Sequence, residues 1–276
     1  MTSSAASIDG ICHDIRKRIV ELSYSAGKNS AHIGGSLSAV EILVTLYHQI
    51  LRTDAEAFEN RDRFILSKGH AALALYCVLE SAGAIPAGAI DSFETNGSRF
   101  TAHARKDTSL GIEFSGGSLG LGLSYATGVA YACKVRRRPA RIFTLVGDGE
   151  CNEGIVWESL LFAHHHRLDN LTVIVDCNRL QADGFTQDVL DTGSLEEKFS
   201  AFGFHAVSVD GHSVAALEEA LLSEAPGPKA VIAMTTKGKG ISFMENKHNW
   251  HFASLSEARY KKALQELEAV QNNGSI

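Results

Sequence analysis

Asp148 stands in Gly147-Asp148-Gly149, directly after the apolar run Arg141 to Val146 (RIFTLV), and Asn178 follows a second such run, Leu171 to Asp176 (LTVIVD). A carboxylate oxygen and a carboxamide oxygen are hard ligands suited to Mg²⁺, which takes oxygen donors and commonly completes its shell with phosphates and water. The flanking glycines permit close approach of backbone to a ligand. Gly-Asp-Gly alone also describes an ordinary turn. The surrounding order is more informative: Glu153-Gly154, a helical stretch, the second run, and then Asn178-Arg179-Leu180-Gln181-Ala182-Asp183-Gly184. Glu153 by itself reads equally as an acidic residue favoured by the macrodipole in the first turn of a helix.

Histidines come from four separated segments: His32 in Ala31-His32-Ile33-Gly34-Gly35-Ser36, His70 at the end of Asn60 to His70 (NRDRFILSKGH), His103 in Thr101 to Lys106 (TAHARK), and His251 in Asn249-Trp250-His251. The last lies downstream of Thr236-Lys237-Gly238-Lys239-Gly240. Imidazole can donate or accept a hydrogen bond when neutral and face phosphate when charged, and it titrates near working pH. Converging histidines would therefore suit a polyhydroxylated, anionic ligand, although any one alone reads as a structural or surface group. His164, His165 and His166 are different, because consecutive helical residues point in different directions. They are expected at a solvated helix end.

These residues must be positioned by helices and strands. Apolar residues recur at helical spacing in Ile8 to Ala26, Ser38 to Leu51, Ala71 to Ala82 and Leu119 to Val135. Three short β-rich runs, Arg141 to Val146, Leu171 to Asp176 and Ala230 to Thr235, are nearly continuous in apolar residues and separated by helical stretches. That pattern predicts a doubly wound α/β fold, a mostly parallel sheet with helices on both faces. Glu153 to His166 is long enough for the crossover helix between the first two runs, and Ser254 to Val270 predicts a final amphipathic helix. Ligands of such sheets sit beyond the carboxyl ends of the strands, where Asp148 and Asn178 are expected.

The chain has 276 residues, 45% of them hydrophobic, with a formal net charge of -6. Its four prolines and the lack of repeats give no interdomain linker, so residues 1–276 are expected to form one domain. Its densest basic run, Arg136-Arg137-Arg138, is too short to indicate nucleic-acid binding, and no apolar run approaches the roughly 20 residues of a membrane span. Five cysteines without C-x-x-C spacing indicate neither a disulfide framework nor a zinc ribbon, and a cytoplasmic location is expected.

The joint pattern resembles the transketolase family. Besides the segment from Gly147 to Gly184, the His32 segment is similar to its H-P-G stretch and Arg61 to His70 to R-D-R-F-x-L-S-x-G-H. Gly117-Ser118-Leu119-Gly120-Leu121-Gly122 resembles its G-P-L-G-Q-G loop, and Lys237 to Gly240 with Trp250-His251 resembles its K-G-x-G stretch and downstream W-H. The departures are Ser118 and Leu121 in the loop, and the His103 segment, where the family has G-H-P-E.

The resemblance implies a thiamine-diphosphate-binding fold with Mg²⁺, or another divalent cation such as Ca²⁺ or Mn²⁺, held by Asp148, the side chain of Asn178 and the carbonyl of Leu180. It places a Gly149 amide and Asn178 at the diphosphate, Gly117, Ser118 and Leu119 against the cofactor rings, and Glu153 at a subunit interface where it links sites. It places His70 and His251 near diphosphate and substrate, and His32 and His103 on sugar hydroxyls, where they aid proton transfers, so that these four histidines and Glu153 are the expected catalytic residues. The implied activity is transfer of a two-carbon ketol unit between sugar phosphates. In the family, a second domain supplies the pyrimidine pocket, so a separate C-terminal subunit with a pyrimidine-binding domain is expected, in an α₂β₂ assembly. Alternatives are a 1-deoxyxylulose-phosphate synthase-like enzyme, the α subunit of a 2-oxo acid dehydrogenase, and a non-catalytic thiamine-diphosphate-binding scaffold or regulator.

Overall fold

The computed structural model of the chain describes residues 7–53 and 58–272. The expected single domain also takes in residues 1–6, 54–57 and 273–276, which lie outside the described residues. In chain order the helices are α1 (Ile8–Ser25), α2 (Ile33–Leu37), α3 (Val40–Thr45), α4 (Ala72–Ser81), α5 (Leu121–Val135), α6 (Gly154–His165), α7 (Thr186–Leu190), α8 (Leu195–Ala201), α9 (Val214–Leu222) and α10 (Glu257–Asn272). The strands are β1 (Arg63–Leu66), β2 (Ile142–Gly147), β3 (Leu171–Cys177), β4 (His205–Asp210) and β5 (Lys229–Met234).

The strands form one sheet of order β1-β2-β3-β5-β4, and every pairing is parallel. Side chains alternate between its faces. Phe64, Leu66, Phe143, Leu145, Ile174, Val231 and Ala233 join a core with residues of α1 to α4, α9 and α10. Ile65, Ile142, Val146, Val173, Val175, Ala230 and Ile232 join a second core with residues of α5, α6 and α8. Both faces are therefore covered, which is why the three central strands read as continuous apolar runs.

Register puts the chemistry at one edge. Gly147 is level with Asp176, and Cys177 with Met234, so Asp148, Asn178 and the segment after β5 leave the sheet side by side. Asp148 N–H donates to the Asp176 carbonyl at 3.2 Å, and Thr235 N–H to the Cys177 carbonyl at 3.2 Å.

The helix expected over Ser38 to Leu51 is divided: α3 ends at Thr45, and Leu46–Ile50 form a π turn closed by Leu51 N–H to the Leu46 carbonyl at 2.8 Å. The last helix begins at Glu257, after Ser256 receives the Arg259 and Tyr260 amides, and not at Ser254. Strands β1 and β4 are additional to the three β-rich runs; β1 has only four residues beside a charged stretch, and β4 is a partly exposed edge strand.

Candidate active site

The edge between β2 and β3 carries the oxygen-rich end. Asp148 accepts hydrogen bonds from the amides of Gly149, at 2.8 Å, and Arg179, which bends the chain after β3 back over the aspartate. The Asn178 side-chain oxygen accepts from Leu180 N–H at 3.1 Å. Burial, with the Asp176 carboxylate behind it, pushes Asp148 up to about 6. A cation placed there would relieve both effects. Among the described residues no group of three or more His, Cys, Asp or Glu could hold a metal unaided. The local donor set is mixed, with one carboxylate, one carboxamide and the Leu180 carbonyl, and it needs non-protein oxygens to complete an octahedral shell. The residues present thus fit a magnesium diphosphate.

Lys237 is the link to the rest of the site. Its side chain is 1% exposed, and Nζ lies 3.2 Å from the Leu180 carbonyl, 3.0 Å from the Gln181 carbonyl and 3.1 Å from His251 Nδ1. Burial and the nearby Lys68 ammonium lower its pKa to about 8. A metal on the Leu180 carbonyl would sit beside this ammonium. Two cations so close require anionic oxygens between them, which a diphosphate would supply.

The histidines converge. Ring centroids of His32 lie 5.8 Å from His70, 5.0 Å from His103 and 5.4 Å from His251, and His70 lies 5.0 Å from His251. All four rings are half-buried. Burial, reinforced by His103, pushes His32 down to about 3; burial, with Lys237, pushes His251 down to about 4. Burial and Lys68 push His70 well below the usual imidazole range. These three rings are neutral near pH 7, so each has one donor and one acceptor nitrogen. His32 Nδ1 is buried and has no hydrogen-bond partner among the described residues, an unsatisfied group of the kind a ligand hydroxyl would serve.

The glycine loop packs directly on the His70 segment. A Cβ on Gly69 would stand 2.8 Å from Gly117 N, so only glycine allows the two backbones to meet. Gly117 has φ +143, and a Cβ there would meet nothing within 4 Å; Gly117, Ser118 and Leu119 present an exposed surface beside His70. Beneath them, buried Glu150 accepts from Ser67 Oγ, from Gly120 N–H at 2.7 Å and from Gly147 N–H at 3.0 Å, tying the loop to the end of β2. Burial raises the Glu150 pKa. Lys68 pairs with Asp176 and donates to the Gly35 carbonyl at 3.0 Å. Burial opposes charge on Asp176, but Lys68 and hydrogen bonds from Ser38 and Thr235 hold it below the usual carboxylate range.

Of the residues singled out in the sequence, Asp148, Asn178, Leu180 and Gly149 therefore share the β2–β3 edge, and His32, His70, His103 and His251 share one wall. Glu153 stands elsewhere: its side chain is exposed at the start of α6 and makes no capping hydrogen bond, with its Cβ near Gly120. Residue type and spacing do not single out Lys237, Glu150, Lys68 or Asp176. Lys237, Lys68 and Asp176 lie inside the motifs, but a lysine or carboxylate signals burial only when its neighbours in space are known. His164 and His165 are exposed at the end of α6, and His166 packs on Tyr131 and Phe162.

A cleft of about 830 Å³ opens at Asp148 and Asn178 and runs past Arg179 toward Asp210, His212 and Asn246. The family description "Transketolase, thiamine diphosphate binding domain" matches residues 14–269. The chain is 40% identical over 243 residues to the 6-deoxy-6-sulfo-D-fructose transketolase subunit SqwG of Clostridium sp. (strain MSTE9), covering 86% of this chain and 88% of that one. It is also 40% identical over 258 residues to an apulose-4-phosphate transketolase subunit of Actinobacillus succinogenes, covering 92% and 93%. The solved structure of transketolase from Campylobacter jejuni superposes with a TM-score of 0.81 at 29% identity, over 92% of this chain and 43% of that longer one.

Proposed function

The chain belongs to the transketolase family, as its thiamine-diphosphate-binding N-terminal portion, and from that premise we propose that it is the N-terminal subunit of a split transketolase. It would transfer a two-carbon ketol unit from a ketose or ketose phosphate donor to an aldose or aldose phosphate acceptor. The observation that carries the reading is the Lys237 ammonium, which joins the histidine wall to the metal-ligand edge within hydrogen-bond reach of both.

Thiamine diphosphate, when bound, supplies the carbanion chemistry of the transfer. Asp148, the Asn178 side-chain oxygen and the Leu180 carbonyl would hold Mg²⁺, or Ca²⁺ or Mn²⁺, against the diphosphate. Gly149, Lys237, His70 and His251 would donate to its oxygens, and Gly117, Ser118 and Leu119 would pack against the cofactor rings. His32 and His103 would hold sugar hydroxyls. His32, being neutral, can accept a hydrogen bond from one hydroxyl while donating one to another without a charge to desolvate.

The partner would be a separate C-terminal subunit with a pyrimidine-binding domain, in an α₂β₂ assembly within the cytoplasm. Support for an interface on this side comes from exposed Glu153 at the start of α6 and exposed apolar residues along α5 and α6, among them Val135, Leu161 and Phe162. Relatives of similar length are themselves named as subunits. Mass spectrometry of whatever co-purifies with the chain, followed by a ketol-transfer assay on the complex, tests the proposal. A stoichiometric pyrimidine-binding chain with turnover supports it. A chain that purifies alone and binds thiamine diphosphate without turnover favours the non-catalytic scaffold.

A further inference from the structure

Lys237 lies in a segment whose two ends are tied to one buried carboxylate. At one end, Thr236 N–H donates to His212 Nε2 at 2.8 Å. A backbone amide can only donate, so Nε2 is unprotonated and Nδ1 carries the hydrogen, which points to Glu41 Oε2 at 3.0 Å. Glu41, on α3 and 2% exposed, receives Arg16 Nη2 on both oxygens, at 2.6 and 2.7 Å. At the other end, Arg16 Nε donates to the Lys239 carbonyl at 3.3 Å. Between these ends, Gly238 N–H donates to the Gly34 carbonyl at 3.0 Å.

His212 is itself fixed. Its amide donates to Asp210 Oδ1 at 2.9 Å, and the preceding Gly211 lets β4 come so near the end of β5 that a Cβ would stand 2.4 Å from Thr235 Cγ2. Burial opposes charge on Glu41, but Arg16 and His212 hold its pKa below the usual range, so the anchor remains a carboxylate. None of these three side chains is among the residues assigned above to the cofactor or the sugar.

We infer that His212 is a positioning residue: through the Glu41–Arg16 pair it fixes the backbone of Thr236 to Lys239 and so holds the Lys237 ammonium beside Leu180 and His251. The inference rests on the reading of Lys237 as a diphosphate donor and adds what places it. A histidine is suited to the task because one ring spans an acceptor for a backbone amide and a donor for a carboxylate, a geometry that shorter amides reproduce only in part.

The test compares His212→Asn, which keeps a donor near the Nδ1 position, with His212→Gln, which reaches the Nε2 position with an acceptor. Hydrogen–deuterium exchange is followed on the full chain with its partner subunit, alongside thiamine diphosphate affinity at fixed Mg²⁺. The Thr236 amide should exchange about tenfold faster in His212→Asn and stay within about threefold of the parent in His212→Gln, with affinity following the same order. Equal behaviour of the two variants, or an unchanged amide in His212→Asn, overturns the inference. Lys237→Met separates it from the underlying reading: if that variant keeps full affinity, the diphosphate role of Lys237 is wrong, while the exchange pattern still decides whether His212 fixes the segment. Should His212→Asn not fold, nitrogen NMR of ¹⁵N-histidine in the parent decides: a proton on Nδ1 of His212 is expected, and one on Nε2 overturns the assignment.

Discussion

Lys237 Nζ lies 3.1 Å from His251 Nδ1, and this contact turns two sets of residues into one site. On one side of it are the oxygen donors at the ends of β2 and β3; on the other is the wall of imidazoles. A buried ammonium costs desolvation, seen in the lowering of its pKa to about 8. Its position is maintained by two backbone carbonyls and an imidazole, all neutral acceptors. An anion bound among them would meet a charged donor already oriented toward it, with little ordering left to pay for on binding.

Asp148→Ala removes the carboxylate that would face the metal. Thiamine diphosphate affinity should fall about tenfold to a hundredfold and lose its dependence on added Mg²⁺, because one charge-assisted metal contact is gone. Calorimetric titration with and without a chelator measures this. Metal-dependent affinity that survives intact would place the cation elsewhere.

The lowered His32 pKa gives acid sensitivity of known sign. In the unfolded chain this imidazole titrates near 6.5, and in the fold near 3. Between these values the unfolded state binds more protons, so stability is fully present above about pH 6.5 and is lost as pH falls toward 3. With allowance for partial exposure, the His32 share at pH 5 is about 1–2 kcal/mol. Thermal melts at pH 8 and pH 5 should show His32→Gln losing less stability than the parent across that interval; equal losses would mean that this ring is not held neutral by burial.

Much of this arrangement was legible in the sequence, for identifiable reasons. Strands β2, β3 and β5 are buried on both faces, so their apolar runs were unmistakable, and Asp148 and Asn178 followed directly from where two of those runs end. Strand β4 hid because its side chains are partly exposed at the sheet edge. Glu150 and Lys237 hid for another reason: apart from nearby Gly147, the partners of Glu150 are Ser67 and Gly120, and those of Lys237 are Leu180, Gln181 and His251, brought to them by other segments of the chain. Spacing reveals the groups a strand delivers to an edge, whereas a buried charge declares itself only through neighbours brought by other elements.

Gly69→Ala tests the close approach of two loops without touching a functional group. The new methyl would stand 2.8 Å from Gly117 N and 3.1 Å from Gly116 C, both backbone atoms that cannot rotate away. The fold should lose about 1–3 kcal/mol, as overpacking commonly costs, and the Gly117 loop should shift away from His70. Denaturant unfolding and cofactor affinity should both decline. A variant with unchanged stability would show that the loops have slack.

Leu161→Asp combined with Phe162→Asp addresses the exposed apolar face of α6, where these residues are 59% and 41% exposed. If that face packs between subunits, light scattering should find the proposed α₂β₂ assembly reduced to smaller species, while the isolated chain still folds, with a melting temperature a few degrees lower because Phe162 gives up its packing on Tyr131 and His166. An unchanged assembly mass would put the interface on another face.

Glu150 offers the sharpest contrast between a charge and its shape. Its carboxylate satisfies the Gly120 and Gly147 amides and the Ser67 hydroxyl, and Ser67 Oγ in turn accepts from Leu123 N–H at 3.1 Å. Glu150→Ala would strand two buried amides and leave a cavity, costing about 2–4 kcal/mol. Glu150→Gln keeps one carbonyl oxygen for an amide but brings an NH₂ group to face the other donor, so an intermediate loss is expected. Urea unfolding of both variants at pH 7 measures the order. If glutamine proves as damaging as alanine, both carboxylate oxygens are needed to hold the Gly120 and Gly147 amides; if glutamine is silent, a single acceptor oxygen suffices to hold the turn.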